Sequence, residues 1–159
     1  MPKVIFFLPC EKMLTDEHKT LTLVSILQDI NLTVPSGLNV PLEATVSKEW
    51  KVASLIRHSD PSEIGKRFIH HVEIIKPDGT IMVRASKIPF VLPRGSYFTR
   101  VDVSEIPVGQ QGRLVIRLWL YEEGQPKPDV PHATYDEINI IHKEVEAANP
   151  EATTELSGV

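Results

Sequence analysis

Cysteine is nearly missing from this chain: Cys10 stands alone in 159 residues. No internal disulfide can form, and that usage fits a reducing compartment. Long apolar runs are missing too, with nothing approaching the ~20 residues of a membrane span. The run Val4-Ile5-Phe6-Phe7-Leu8 stops at Pro9, short of the roughly 7–15 apolar residues of a secretory h-region. Leu8-Pro9 also lacks the small residues that precede a lipoprotein cysteine. A buried first strand is therefore expected there, and a cytoplasmic protein with it. A basic excess is absent as well: 17 Lys and Arg face 21 Asp and Glu, a net charge of −4. Wholesale binding to nucleic acid or to anionic membranes is disfavoured on that ground. No G-x-S-x-G, G-x-x-x-x-G-K-[ST] or G-x-G-x-x-G occurs, and Gly65-Lys66 lacks the upstream glycine of a phosphate loop.

What is present is a punctuated series of strand-length apolar runs. The strongest local signal is Pro77-Asp78-Gly79-Thr80, set between Arg67–Lys76 and Ile81–Ala85. Proline presets φ at the start of a turn, and Asp and Gly accept the conformations needed next, so the segment predicts a β-hairpin. Thirteen prolines and eight glycines fall mainly between apolar runs, where sheet proteins place them. Eight strands are expected: Lys3–Leu14, Leu21–Val34, Thr45–Arg57, Arg67–Lys76, Ile81–Ala85, Ser96–Val103, Arg113–Tyr121 and Ala133–His142. Lys87–Gly95 reads as a loop. Leu114, Ile116, Leu118 and Leu120 alternate with Val115, Arg117, Trp119 and Tyr121, the period of a half-buried antiparallel strand.

These features predict an all-β fold, a two-layer antiparallel β-sandwich of immunoglobulin-like or C2-like type, with a β-barrel as the alternative. One domain is expected over residues 1–142. Residues 143–159 read as an acidic tail, after a helical turn or two from Lys143.

Candidate chemistry is sparse. His70-His71 lies within one strand, so the rings point to opposite faces and do not share a metal easily. His70 follows the apolar face of Phe68, Val72 and Ile74 and reads as a hydrogen-bonded core histidine. His18, His58, His132 and His142 lie near strand ends. Cys10 reads as a buried thiol, although Lys12 nearby favours a thiolate. Asp60, Asp129 and Asp136 are too scattered for a C2-type calcium site. No metal, cofactor or catalytic residue is expected. Trp50 reads as core, on one side with Val46 and Val52. The binding residues expected are Arg117, Trp119 and Tyr121 on the outer face of one strand, because these residue types are enriched in binding hot spots. The competing reading is that the protein's own Pro-rich loop or C-terminal segment covers that face.

Cys10-Glu11-Lys12, Leu23-Val24-Ser25-Ile26-Leu27-Gln28-Asp29-Ile30, Trp50 and Pro77-Asp78-Gly79 together resemble a family of small bacterial proteins classed as a domain of unknown function. The likeness covers roughly residues 1–141. It implies a compact bacterial domain and brings no catalytic residues. The expected function is a non-catalytic protein-binding or assembly module, with a homodimer or protein partner. The alternative is a small-ligand or metal-dependent protein that gathers His58, His70, His71 or His132. A nucleic-acid binder would need Lys48, Lys51, Arg57, Lys66 and Arg67 in one patch.

Overall fold

The computed structural model describes residues 1–15, 17 and 20–146, side chains at 83–86 excepted. Among the described residues nine strands run in chain order: β1 (Lys3–Thr15), β2 (Leu21–Ile26), β3 (Asp29–Pro35), β4 (Thr45–Arg57), β5 (Arg67–Ile75), β6 (Ile81–Val91), β7 (Ser96–Pro107), β8 (Gly112–Glu122) and β9 (Ala133–Val145). They form a four-stranded sheet, β2-β1-β4-β7, packed on a five-stranded sheet, β3-β9-β8-β5-β6. The all-β sandwich read from the sequence is the fold, and the sheets do not close into a barrel. The order β9-β8-β5-β6 against β4-β7 follows the arrangement of strands G, F, C, C′ and B, E in immunoglobulin-type sandwiches. The departure is β1, which is inserted between β2 and β4. Among the described residues no helix is long and apolar enough to cross a membrane.

Alternation builds the core. Leu114, Ile116, Leu118 and Leu120 of β8 turn inward and are fully buried. Opposite them stand Trp50, Val52 and Ile56 of β4, while Phe68, Val72 and Ile74 of β5 and Ile138 and Ile140 of β9 complete the filling. The expected hairpin forms. Gly79 N donates to Lys76 O at 2.9 Å and Lys76 N to Thr80 O at 2.8 Å, with Gly79 at φ +84°. Only glycine takes that φ freely, so Pro77-Asp78-Gly79 makes a turn closed by a glycine bulge.

Several expectations are corrected. The single strand Leu21–Val34 is two strands in different sheets, joined at Leu27-Gln28. Leu27 N donates to Pro9 O in one sheet, and Asn139 N donates to Gln28 O in the other. Tyr135 Oη also donates to Leu27 O, at 2.7 Å. Both sheets therefore hold the corner, which needs neither Pro nor Gly. β3 runs parallel to β9, so the sandwich is not purely antiparallel. Lys87–Val91 is strand rather than loop, and Pro89 is tolerated because β6 is an edge strand. β9 continues through Lys143–Val145, where a helical turn was expected, because β3 pairs with it as far as Pro35↔Val145. The rest of the expected tail, 147–159, lies outside the described residues. Trp50 is core as read, but Val46 is exposed, because the register shifts between Ser47 and Trp50.

The Pro-rich segment after β3 docks on the turn between β7 and β8. Ala44 O accepts from Val108 N and Gly109 N at 2.8 and 3.0 Å. A Cβ on Gly109 would stand 2.2 Å from Leu42 O and 2.3 Å from Pro41 O, so glycine is required by close approach.

Candidate functional site

The face expected to bind, Arg117, Trp119 and Tyr121, is open only at Arg117. Trp119 and Tyr121 are buried, at 3% and 8% exposure. That expectation is corrected, and the competing reading of a self-covered face holds at these two positions. Strand pairing sets His71 beside Trp119 and Glu73 beside Arg117. The His71 ring lies 5.4 Å from Trp119 and 6.2 Å from Tyr121. From the loop after β8, Lys127 places its ammonium 4.0 Å above the Trp119 ring and 2.9 Å from Glu73 Oε1.

The polar atoms of His71, Glu73, Tyr121 and Lys127 satisfy one another, while Trp119 Nε1 is buried without a hydrogen-bond partner. His71 Nε2 donates to Glu73 Oε1 at 3.0 Å, because a carboxylate can only accept. His71 Nδ1 is then free to accept from Tyr121 Oη at 3.3 Å. Burial pushes the His71 pKa down, outweighing the Glu73 hydrogen bond, so the ring is neutral near pH 7. Burial alone would raise Glu73, but the hydrogen bonds from Lys127 and His71 hold its carboxyl below its ordinary value. The result is a packed lock for the loop over Trp119.

Among the described residues the histidines do not gather. His70 faces inward and is fully buried, with Nε2 2.8 Å from Ser54 Oγ of the facing sheet. Burial drops its pKa to about 4. His132 Nδ1 accepts from Leu120 N at 3.2 Å, and His142 Nε2 donates to Val108 O at 2.6 Å. His18 lies outside the described residues. Among the described residues no three His, Cys, Asp or Glu side chains are grouped to hold a metal. Cys10 is buried, and burial raises its pKa against the pull of Lys51. The candidate nucleic-acid lysines and arginines are dispersed. Lys48 pairs with Glu11, Lys51 with Asp102, Lys66 with Glu122 and Arg67 with Glu123, across both sheets.

Two cavities stand out by volume, and neither is lined by the cluster around Trp119. One, of about 530 Å³, sits at the β2–β3 corner between Glu11, Ser25, Gln28, Asp29, Lys48 and Val108. Ser25 there has φ +55°, the one positive-φ residue other than glycine among the described residues. Its charged groups are already engaged. Glu11 pairs with Lys48, and Asp29 Oδ1 accepts from Asn139 Nδ2 at 2.9 Å.

The other cavity, of about 550 Å³, is lined by Phe6, Thr15, Leu21, Leu23, Leu55 and Phe98. It lies on the outer face of the four-stranded sheet. Val52, Ser54 and Ile56 of β4 turn inward, so Leu55 between them turns out, and pairing places Phe6 and Phe98 on either side of it. The rings of Phe6 and Phe98 are 6.4 Å apart. β1 changes partner along its length, pairing with β4 through Lys3–Cys10 and with β2 through Cys10–Thr15. That change brings Leu21 and Leu23 of β2 to the cavity as a second wall. Thr15 supplies its one polar side chain among the described residues. Sequence reasoning missed this site, although a signal for it exists: Val4–Leu8 and Val52–Ile56 are nearly unbroken apolar runs. Such a run means both faces of the strand are apolar.

No family model and no curated protein matches the chain.

Proposed function

We propose that the protein is a non-catalytic binding module and that it binds through the outer face of its four-stranded sheet. One observation carries this reading. Phe6, Leu55 and Phe98 make a half-buried apolar row on the face turned away from the second sheet, walled by Leu21 and Leu23 into a cavity of about 550 Å³. That volume and lining suit a binding pocket, which is commonly about 300–1,000 Å³ and mostly apolar. The expected site at Arg117, Trp119 and Tyr121 is replaced by this one, since Trp119 and Tyr121 are spent on internal packing. Cytoplasmic placement belongs to the same proposal and rests on the single cysteine.

Nile red, an uncharged dye that brightens in apolar pockets, tests the reading. Saturable one-to-one binding is expected, lost in Leu55→Asp and weakened in the milder Phe98→Ser. Both variants should keep a cooperative urea transition. Absence of saturable binding, or full binding by both folded variants, sinks the reading.

A further inference from the structure

The surroundings of the outer cleft say what chemistry it takes. Across β1, β4 and β7 the outward side chains stand in rows: Lys3–Arg57–Ser96, then Phe6–Leu55–Phe98, then Leu8–Ala53–Arg100, then Cys10–Lys51–Asp102. Successive rows are about 7 Å apart at the rise of a strand. An apolar row is thus flanked by cations on both sides. Within these four rows Lys3, Arg57, Arg100 and Lys51 face one carboxylate, Asp102, with Glu49 beside Lys51 and Asp102 just beyond, in a chain whose net charge is −4. Asp102 is already shared between Lys51 at 3.0 Å and Arg100 at 3.4 Å. Arg57 and Lys3 have no carboxylate partner among the described residues. Arg57 instead donates Nε and Nη2 to Ser96 Oγ at 3.2 and 3.1 Å. Its guanidinium therefore leans toward β7 and the Phe98 end of the cleft.

Resting on the binding-module reading above, we propose that the cleft holds the alkyl chain of a long-chain carboxylate whose head group is received by Arg57. The tail runs from Phe98 over Leu55 and Phe6 toward Leu21 and Leu23. The row Phe98–Leu55–Phe6 crosses two strand spacings, about 10 Å, which matches an extended run of about eight carbons, with Leu21 and Leu23 walling what lies beyond. Guanidinium suits this head group because its fork can receive both carboxylate oxygens. Lys3, next in the same row, adds a second positive charge beside Phe6.

The test uses the full chain and displacement of Nile red by octanoate, decanoate, laurate and dodecanol. Affinity should rise by up to about tenfold for each two carbons as far as laurate, since each methylene is buried. Arg57→Gln should weaken laurate by about tenfold or more and leave dodecanol unchanged. Lys3→Gln should have a smaller effect in the same direction. Failure of laurate to displace a dye that Leu55→Asp abolishes would overturn the ligand class while leaving the site standing. Failure of the dye itself would remove both. Affinity that ignores chain length, or equal losses of laurate and dodecanol in Arg57→Gln, would overturn the assignment. So would binding to anionic vesicles without binding of free laurate, or a dimer in sedimentation that Phe98→Ser dissociates.

Discussion

Acid should weaken this fold well before its carboxylates protonate, and His70 is the main reason. Its imidazole is fully buried between the sheets, and its one outside partner is Ser54 Oγ. Nδ1 has no hydrogen-bond partner. Burial is the largest cause of the drop in its pKa from 6.5 to about 4, with the neighbouring His71 adding to it. The folded state therefore keeps His70 neutral while the unfolded chain takes up a proton near pH 6.5. A histidine depressed in this way favours the folded state above pH 6.5, and that contribution is lost progressively as pH drops from about 6.5 toward 4. Linkage gives a loss of about 2 kcal/mol between pH 7 and 5 from His70 alone. Burial lowers His71 and His132 as well, and both act in the same direction. The lowered carboxyls Glu63 and Glu73 lose their contribution only as pH falls through the acid range below their ordinary values. The pH 5–7 window thus isolates the histidines. Urea unfolding followed by Trp fluorescence at pH 7, 6 and 5 reads the effect. With a slope of about 2 kcal/mol/M, the midpoint should move down by about 1 M across the window from His70 alone. His70→Gln can still bond Ser54 and does not titrate, so its midpoint should fall much less. A flat wild-type midpoint, or the same fall in His70→Gln, would refute the reasoning.

Other close contacts give two further stability predictions. Ser54→Ala should cost about 1–3 kcal/mol at pH 7, because it leaves His70 Nε2 buried and unpaired, whereas Ser54→Ala with His70→Leu should recover most of that loss; urea midpoints of the three proteins decide it, and a double variant as unstable as the single one counts against the pair. Gly109→Ala should cost about 3 kcal/mol, because its Cβ meets the Pro41 and Leu42 carbonyls, while Gly95→Ala, with open space around it, should be near neutral; equal thermal midpoints for the two would refute the close-approach argument.

The architecture was legible because its signals are local. Pro77-Asp78-Gly79 fixes a turn from three residues, and the alternating leucines of β8 name their own inward face. His70 and Trp50 were also read correctly as core, since each follows the parity of apolar neighbours. The break at Leu27-Gln28 was not legible, because its cause is tertiary. Hydrogen bonds to Pro9 O and from Tyr135 Oη and Asn139 N hold the corner, and those partners lie far away in the sequence. The strand from Lys87 to Val91 was missed for a related reason. Proline argues against strand only where its missing N–H is needed, and the sequence does not say which strand will be an edge.

The binding face was misplaced because composition was read without coverage. Arg, Trp and Tyr on one side of β8 have the residue types of a hot spot, but Lys127 and the loop carrying it close over Trp119. The opposite error applies to β1 and β4. Their apolar runs look like strands buried on both faces, yet only the inward face meets the second sheet. Burying a Leu or Phe side chain is worth about 1.5–3 kcal/mol, and folding alone does not collect the full value at Phe6, Leu55 and Phe98. Half-buried apolar rows that border a cavity also invite association, so their presence beside Lys3 and Arg57 on a net-acidic chain supports the proposed occupant. On this sheet the informative quantity is the parity of apolar residues that remain once the core has taken its share. That remainder becomes visible only when the partner layer of each face is known.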